Sequence, residues 1–175
     1  FIDPSVVPAN TNNIVFNYDV KLNLDTSFTG KDLLRTTLRA NNFQNSSFGA
    51  LGTNALADAS NPSNVGTDGF ALNRLFYQFP VGNGVTATFG AKVRQDDMLA
   101  MWPSVYPADT VLDLFTYAGG RTAYTLALGA GAGVWYQKDG FSASINYVAQ
   151  DGQNGNPVEG GVGTAGSNET FTAQV

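Results

Sequence analysis

The sequence predicts an all-β protein. Its form is an antiparallel up-and-down transmembrane β-barrel, here a partial barrel of about 7–8 strands with short periplasmic turns and long outer loops. Three observations predict it. Residues 14–28, IVFNYDVKLNLDTSF, alternate apolar and polar side chains over about twice the usual ~5–6 residues of a soluble strand. The same alternation recurs along the chain in further segments of about 9–11 residues, the length that crosses hydrocarbon at a tilt. The connections run short (29–32), long (44–69), short (82–84), long (95–128), short (139–140) and long (150–169), the order that an outer-membrane barrel imposes.

Composition bounds the reading. Hydrophobic residues make up 43% of the chain, yet no stretch of 18 is continuously apolar, which excludes a transmembrane helix and leaves a transmembrane barrel open. The 20 glycines, with abundant Asn, Thr and Ser, favour strands and turns. With 0 Cys there is neither a disulfide frame nor thiolate metal ligation, and with 0 His the commonest general base and metal ligand is missing. No cofactor, metal site or enzymatic activity is therefore expected. A net charge of -5 argues against nucleic acid as a partner. The opening, FIDPSVVPANTNN, has no signal-peptide pattern and reads as the middle of a longer chain.

Taken in order, residues 1–13 hold Pro4, Pro8, Asn10, Asn12 and Asn13 and read as a loop. In strand 14–28 the even positions from Ile14 to Phe28 form the apolar face, with Asp19, Lys21, Asn23 and Asp25 on the polar face. A turn at Thr29-Gly30-Lys31-Asp32 leads to strand 33–43. Pairing Phe28 with Leu34 keeps the faces matched, and it sets Arg35, Thr37, Arg39 and Asn41 beside Asp25 and Asn23. After the polar loop 44–69, strand 70–81 places Ala71, Leu75, Tyr77, Phe79 and Val81 on the apolar face. Leu72, Arg74, Phe76 and Gln78 fall on the other face, and Asn73 breaks the pattern. Gly82-Asn83-Gly84 turns into strand 85–94, with Val85, Ala87, Phe89, Ala91 and Val93 apolar and Thr86, Thr88, Gly90, Lys92 and Arg94 opposite.

Residues 95–128 have no clean period: 108–118 suits a short helix, and 122–128 suits a strand or an inward-packed segment. Asp139-Gly140 is the strongest hairpin signal and joins strand 129–138 to strand 141–149. Its two-residue turn pairs Lys138 with Phe141, Tyr136 with Ala143 and Val134 with Ile145, and the hydrophobic pattern demands the same register. Gly129, Gly131 and Gly133 are not a phosphate loop, since no Lys or Ser/Thr follows in place, and they suit close backbone packing or curvature. A last strand begins at Thr170, with Phe171, Ala173 and Val175 apolar.

If the polar face is a lumen, Lys21, Arg35, Arg39, Arg74, Lys92 and Arg94 line it as a basic wall. Asp96, Asp97, Asp109 and Asp113 then sit on the 95–128 loop as constriction acids, able to oppose that wall if the loop folds inward. The plainer alternative is that these charges solvate a wide lumen or pair with one another. Phe16, Tyr18, Tyr77, Phe79, Tyr136, Phe141 and Tyr147 lie on the apolar face and read as lipid-facing interfacial aromatics; the alternative is a soluble core under a second sheet. Trp135 and Phe76 fall on the polar face, either as a sugar-stacking platform or as packing beneath the loop.

Several of these stretches carry a family likeness. LNLDTSFTGKD (22–32), LLRTTLRANNF (33–43), LNRLFYQFPVG (72–82) and NGVTATFGA (83–91) resemble the cyanobacterial outer-membrane porins, a group similar to the carbohydrate porins and with relatives labelled iron-uptake porins. The likeness covers residues 14–94 well and 129–149 less closely. It implies a passive diffusion channel for small hydrophilic solutes and inorganic ions in the outer membrane of a Gram-negative-type, cyanobacterial cell. Two alternatives stand beside it: a substrate-selective channel for sugars or ferric species, and a structural or adhesive β protein without an open pore. The resemblance further implies outer-membrane lipids as partners, a homotrimer, and peptidoglycan contact through an N-terminal surface-layer-homology region missing from this chain. Residues 1–175 are expected to be part of a single porin barrel whose remaining strands lie elsewhere, since seven strands leave open edges that hydrocarbon does not tolerate.

Overall fold

A computed structural model of the protein describes residues 14–43, 46, 69–109 and 112–175. Seven antiparallel strands run in sequence order through one open sheet: β1 (Asp19–Thr26), β2 (Leu33–Asn41), β3 (Ala71–Gly82), β4 (Val85–Arg94), β5 (Leu128–Lys138), β6 (Phe141–Ala149) and β7 (Glu169–Gln174). The expected loop 1–13 and most of 44–69 lie outside the described residues. Of the helix expected over 108–118, the described residues form a 3-10 turn at Asp113–Phe115 and 110–111 lie outside them; a second such turn, Gln95–Met98, follows β4. No helix among the described residues is long and apolar enough to cross a membrane, which leaves crossing by strands open.

The first hairpin keeps the expected faces with a different register. Thr26, not Phe28, pairs with Leu34, so that Asp25 stands directly opposite Arg35 and Asp19 opposite Asn41. Asp32 causes the shift. Its carboxylate accepts hydrogen bonds from the Ser27 hydroxyl (2.8 Å), the Phe28 and Thr29 amides (3.1 and 2.7 Å) and the Thr29 hydroxyl (2.6 Å). Residues 27–32 are thereby wound into a wider turn, and the ladder begins two residues earlier on β1. Strand β1 starts only at Asp19; among the described residues, 16–18 meet Asn42 and Ser46 mainly through side chains rather than a regular ladder.

Two bulges correct the expected faces of β3 and β4. Thr37 pairs with Arg74 but Leu38 pairs with Leu72, which makes Asn73 the extra residue. A bulge sets two residues against one and resets the alternation beyond it. Leu72 therefore joins the apolar face, Ala71 moves opposite Arg39, and the break at Asn73 is explained. On β4, Phe76 pairs with Gly90 but Leu75 pairs with Lys92. Ala91 and Lys92 share the apolar face, and Val93 turns inward, where it is buried. The β5–β6 hairpin has the register expected from its turn: Lys138 opposite Phe141, Tyr136 opposite Ala143, Val134 opposite Ile145.

The sheet is inside out for a fold in water. Leu22 and Leu24 are about half exposed, at 47% and 50%, and Phe89, Val134, Ile145 and Phe171 stand out on the same face. Thr37, Arg39, Arg74, Thr88, Asn146 and Thr172 on the opposite face are buried. What buries them is the chain between β4 and β5, which folds onto the polar face. Met98 from this segment packs with Phe76, Val93, Ala127 and Val148, and Leu33 and Trp135 close the cluster. Gly133 makes room for it: a Cβ at that position would lie 2.9 Å from the Met98 Cβ and 2.8 Å from the Asn146 Cβ. Residues 122–127 are thus the inward-packed segment, and the glycines of β5 serve close packing.

Candidate functional site

The polar face carries a cluster of charges around a cavity of about 190 Å³, lined by Lys21, Asn23, Arg35, Thr37, Arg39, Asn73, Arg74, Arg94, Asp96, Asp97 and Asp109. Alternation on β1, β2 and β3 brings the cations together, and the bulge at Asn73 seats Arg74 beside them. Every wall cation in the cavity has a carboxylate partner. Arg35 pairs with Asp25 at 2.7 Å, Arg39 with Asp19 at 2.6 Å, and Lys21 with Asp19 at 3.7 Å and Asp109 at 3.8 Å. Arg74 donates to Asp97 at 2.7 Å, and Arg94 reaches Asp96 through two nitrogens and Asp109 at 2.9 Å.

Five cations therefore meet five carboxylates. The loop acids touch the basic wall directly rather than facing it across a gap, which corrects the expected opposed-charge constriction. The reason is local: the 3-10 turn begins at Arg94, whose backbone amide donates to the Asp97 carboxylate at 2.8 Å, and this folds Asp96 and Asp97 back onto their own strand. Burial pushes the Asp97 carboxyl up, against the pull of Arg74 and Arg94. Burial also raises Asp109, but Arg94 and Lys21 outweigh it and leave that group below its ordinary value. Buried pairs of this kind add little net stability, while breaking one side costs about 3–5 kcal/mol, so their structural effect is to fix position.

Two expected site residues lie elsewhere. Lys92 is carried to the apolar face by the β4 bulge, opposite Leu75, and does not line the cavity. Asp113 pairs with Arg121 at 3.6 Å, outside the cluster, and the Arg121 guanidinium lies 4.5 Å over the Tyr117 ring. Trp135 and Phe76 pack beneath the inward segment, which disposes of a stacking platform there. Sequence reasoning missed Asn73 as a cavity residue, and it missed Gln95 and Met98 altogether. Asn73 left a trace as a break in the alternation; Gln95 and Met98 left none.

The apolar face carries aromatics in two bands. Beside the short turns, Tyr77 packs against Phe28 (6.2 Å between ring centres), Phe79 (5.5 Å) and Phe89 (6.0 Å), and Tyr136 meets Phe141 at 6.0 Å. The Tyr77 hydroxyl donates to Asp32 at 2.6 Å, so the ring keeps an apolar body and a polar tip. Toward the long connections lie Phe16, Tyr18 and Tyr147, the last paired with Phe171 and donating to Glu169 at 2.5 Å. β1, Asp19–Thr26, rises roughly 23 Å at ~3.3 Å per residue, or about 18 Å of height at a tilt of ~40°. On β6 the interval from Phe141 to Tyr147 is shorter.

Fold and site together define a class: an antiparallel seven-stranded meander with an exposed apolar face and a charged face covered by an inward segment. Among known proteins, the chain is 29% identical over 147 residues to the uncharacterized protein sll0772 of Synechocystis sp., a match covering 83% of this chain and 26% of that protein. The chain thus spans about a quarter of the length of the curated relative it matches. No family model matches the chain. No solved structure matches it.

Proposed function

We propose that the chain is part of an outer-membrane β-barrel that forms a passive channel for small hydrophilic solutes and inorganic ions. The observation that carries this reading is the inverted polarity of the sheet. An apolar face running across seven strands would be an aggregation surface in water, whereas lipid solvates it. The charged face, with its wall cations paired to carboxylates around a cavity, suits a water-filled interior. Among the described residues β1 and β7 are the edges of the sheet, so the reading requires further strands to close the barrel. The relative from Synechocystis, a cyanobacterium, supports an outer membrane of that type as the setting. Because the wall cations are matched by carboxylates, the channel discriminates weakly by charge and chiefly by size.

Single-channel recording of the full-length protein in a planar bilayer under a salt gradient tests this. Discrete steps with a small reversal potential are expected. An inserted protein that gives no steps, or one that stays soluble and monodisperse without detergent, overturns the reading.

A further inference from the structure

The described parts of the segment between β4 and β5, residues 95–109 and 112–127, together reach both sides of the polar face. At one end Asp109 reaches Lys21 on β1, and at the other Gln95 reaches Thr172 on β7. The β1–β4 side is held by ion pairs. The β6–β7 side is held by uncharged groups: Gln95, which is completely buried, the Tyr124 hydroxyl, which accepts from Gln174 at 3.1 Å, and Met98 against Val148.

Gln95 uses nearly every polar atom it has. Its side-chain amide donates to the Ala123 carbonyl at 2.9 Å and to the Thr172 hydroxyl. Its Oε1 accepts the Leu126 amide at 3.0 Å, and its backbone amide donates to the Ala127 carbonyl at 2.9 Å. Its own carbonyl accepts from Asn146 Nδ2 at 3.5 Å. One residue at the start of the segment therefore binds the end of the segment, β6 and β7 at once. A surface glutamine would exchange such bonds for water at little cost. Here Thr172, Asn146 and Ala127 are buried, Leu126 is half-buried and Ala123 is exposed, so losing Gln95 strands chiefly the Thr172 hydroxyl.

We propose that Gln95 is the positioning residue that holds segment 95–127 on the polar face as a fixed constriction, and so sets the size limit of the channel. This rests on the channel reading above. Gln95 touches no solute; it acts through Thr172 and the Ala123–Ala127 stretch. Met98, three residues on, packs into the Phe76–Val148 cluster and adds an apolar anchor beside it.

The test is single-channel recording of the full-length protein with polyethylene glycols of graded size, comparing Gln95→Leu and Thr172→Val with the parent. Gln95→Leu keeps the bulk and loses all three side-chain bonds; Thr172→Val keeps the shape and loses one. Leaving buried groups unpaired raises the population of the released segment roughly tenfold or more in Gln95→Leu, and by less in Thr172→Val. The expected readouts are larger and noisier steps and admission of larger polymers. Because the two substitutions break one shared contact, their combination should add nothing beyond Gln95→Leu. If the parent conducts and both variants match it in step size, noise and polymer cut-off, the positioning role fails and the channel reading stands. If the parent gives no steps, the channel reading fails and the constriction falls with it. If Gln95→Leu does not fold, Thr172→Val alone decides, since an unchanged cut-off in that variant overturns the proposal.

Discussion

Placing a charge at Leu22 separates a lipid-facing sheet from a water-facing one. Leu22 lies on the apolar face of β1, opposite Leu38 and 47% exposed, near the midpoint between Tyr18 and Phe28. Its solvent decides the effect of Leu22→Arg. In water, an exposed position of this kind tolerates substitution within about 0.5 kcal/mol. At the bilayer midplane, an arginine on the lipid face of a barrel costs about 2–4 kcal/mol. That range corresponds to a roughly 30- to 900-fold shift in the folding equilibrium. The assay is urea-dependent folding of the full-length protein into phosphatidylcholine vesicles, read by tryptophan fluorescence. Val162→Arg is the control, since Val162 is also exposed but lies in the connection before β7. The expected result is a large loss of stability for Leu22→Arg and almost none for Val162→Arg. Equal midpoints for the two variants would refute the assignment of the apolar face to lipid.

Two further outcomes follow from the charges. Asp109 is the most exposed carboxylate of the cluster, so Asp109→Asn should move the reversal potential toward anions, while Lys92→Gln, on the apolar face, should leave it unchanged; equal shifts would contradict the bulge on β4. Asp32, in the turn between β1 and β2, is held well below the ordinary carboxylate range by the Thr29 hydroxyl first, then by the Tyr77 hydroxyl and further donors. A depressed carboxyl stabilises the fold above its unfolded value of about 4 and loses that contribution as the pH falls toward the folded value. Asp32→Asn should therefore lower the melting temperature in detergent most at neutral pH, with a difference that shrinks toward pH ~2. A difference constant with pH would show that the carboxylate is not the source.

The strands were legible because both of their determinants are local. Alternation marks a strand whether the wet face meets bulk water or a lumen, so β4 and β6 fall where the pattern puts them. The Asp139-Gly140 turn set the β5–β6 register, because a two-residue hairpin leaves no freedom. The β1–β2 register was less legible. Its turn is built by Asp32 reaching back to Ser27, Phe28 and Thr29, and a side-chain carboxylate can wind four or six residues with equal ease. A bulge is harder again. Asn73 showed as a polar residue in an apolar position, but Ala91 is apolar and its bulge passed as ordinary alternation. The face of Lys92 was misread for that reason.

The charges of the site were legible and their arrangement was not, and the difference has a physical cause. Strand periodicity places Arg35, Arg39 and Arg74 on one face without any tertiary information. The partners of Arg74 and Arg94 come from a segment with no period, which is fixed by contacts distant in sequence. Gln95 reaches its acceptor on Ala123 across 28 residues and Thr172 across 77. No local preference of glutamine foreshadows such a role. The segment's path is set instead by what the sheet already offers: a glycine at 133 that admits Met98, and the guanidiniums of Arg74 and Arg94 that Asp97 and Asp96 meet. The strands thus make a surface whose unmet needs are specific, and the connection that meets them is selected by that surface. This is why the two faces of the sheet can be read from alternation, while the path of the connection across them depends on a few residues that no pattern announces.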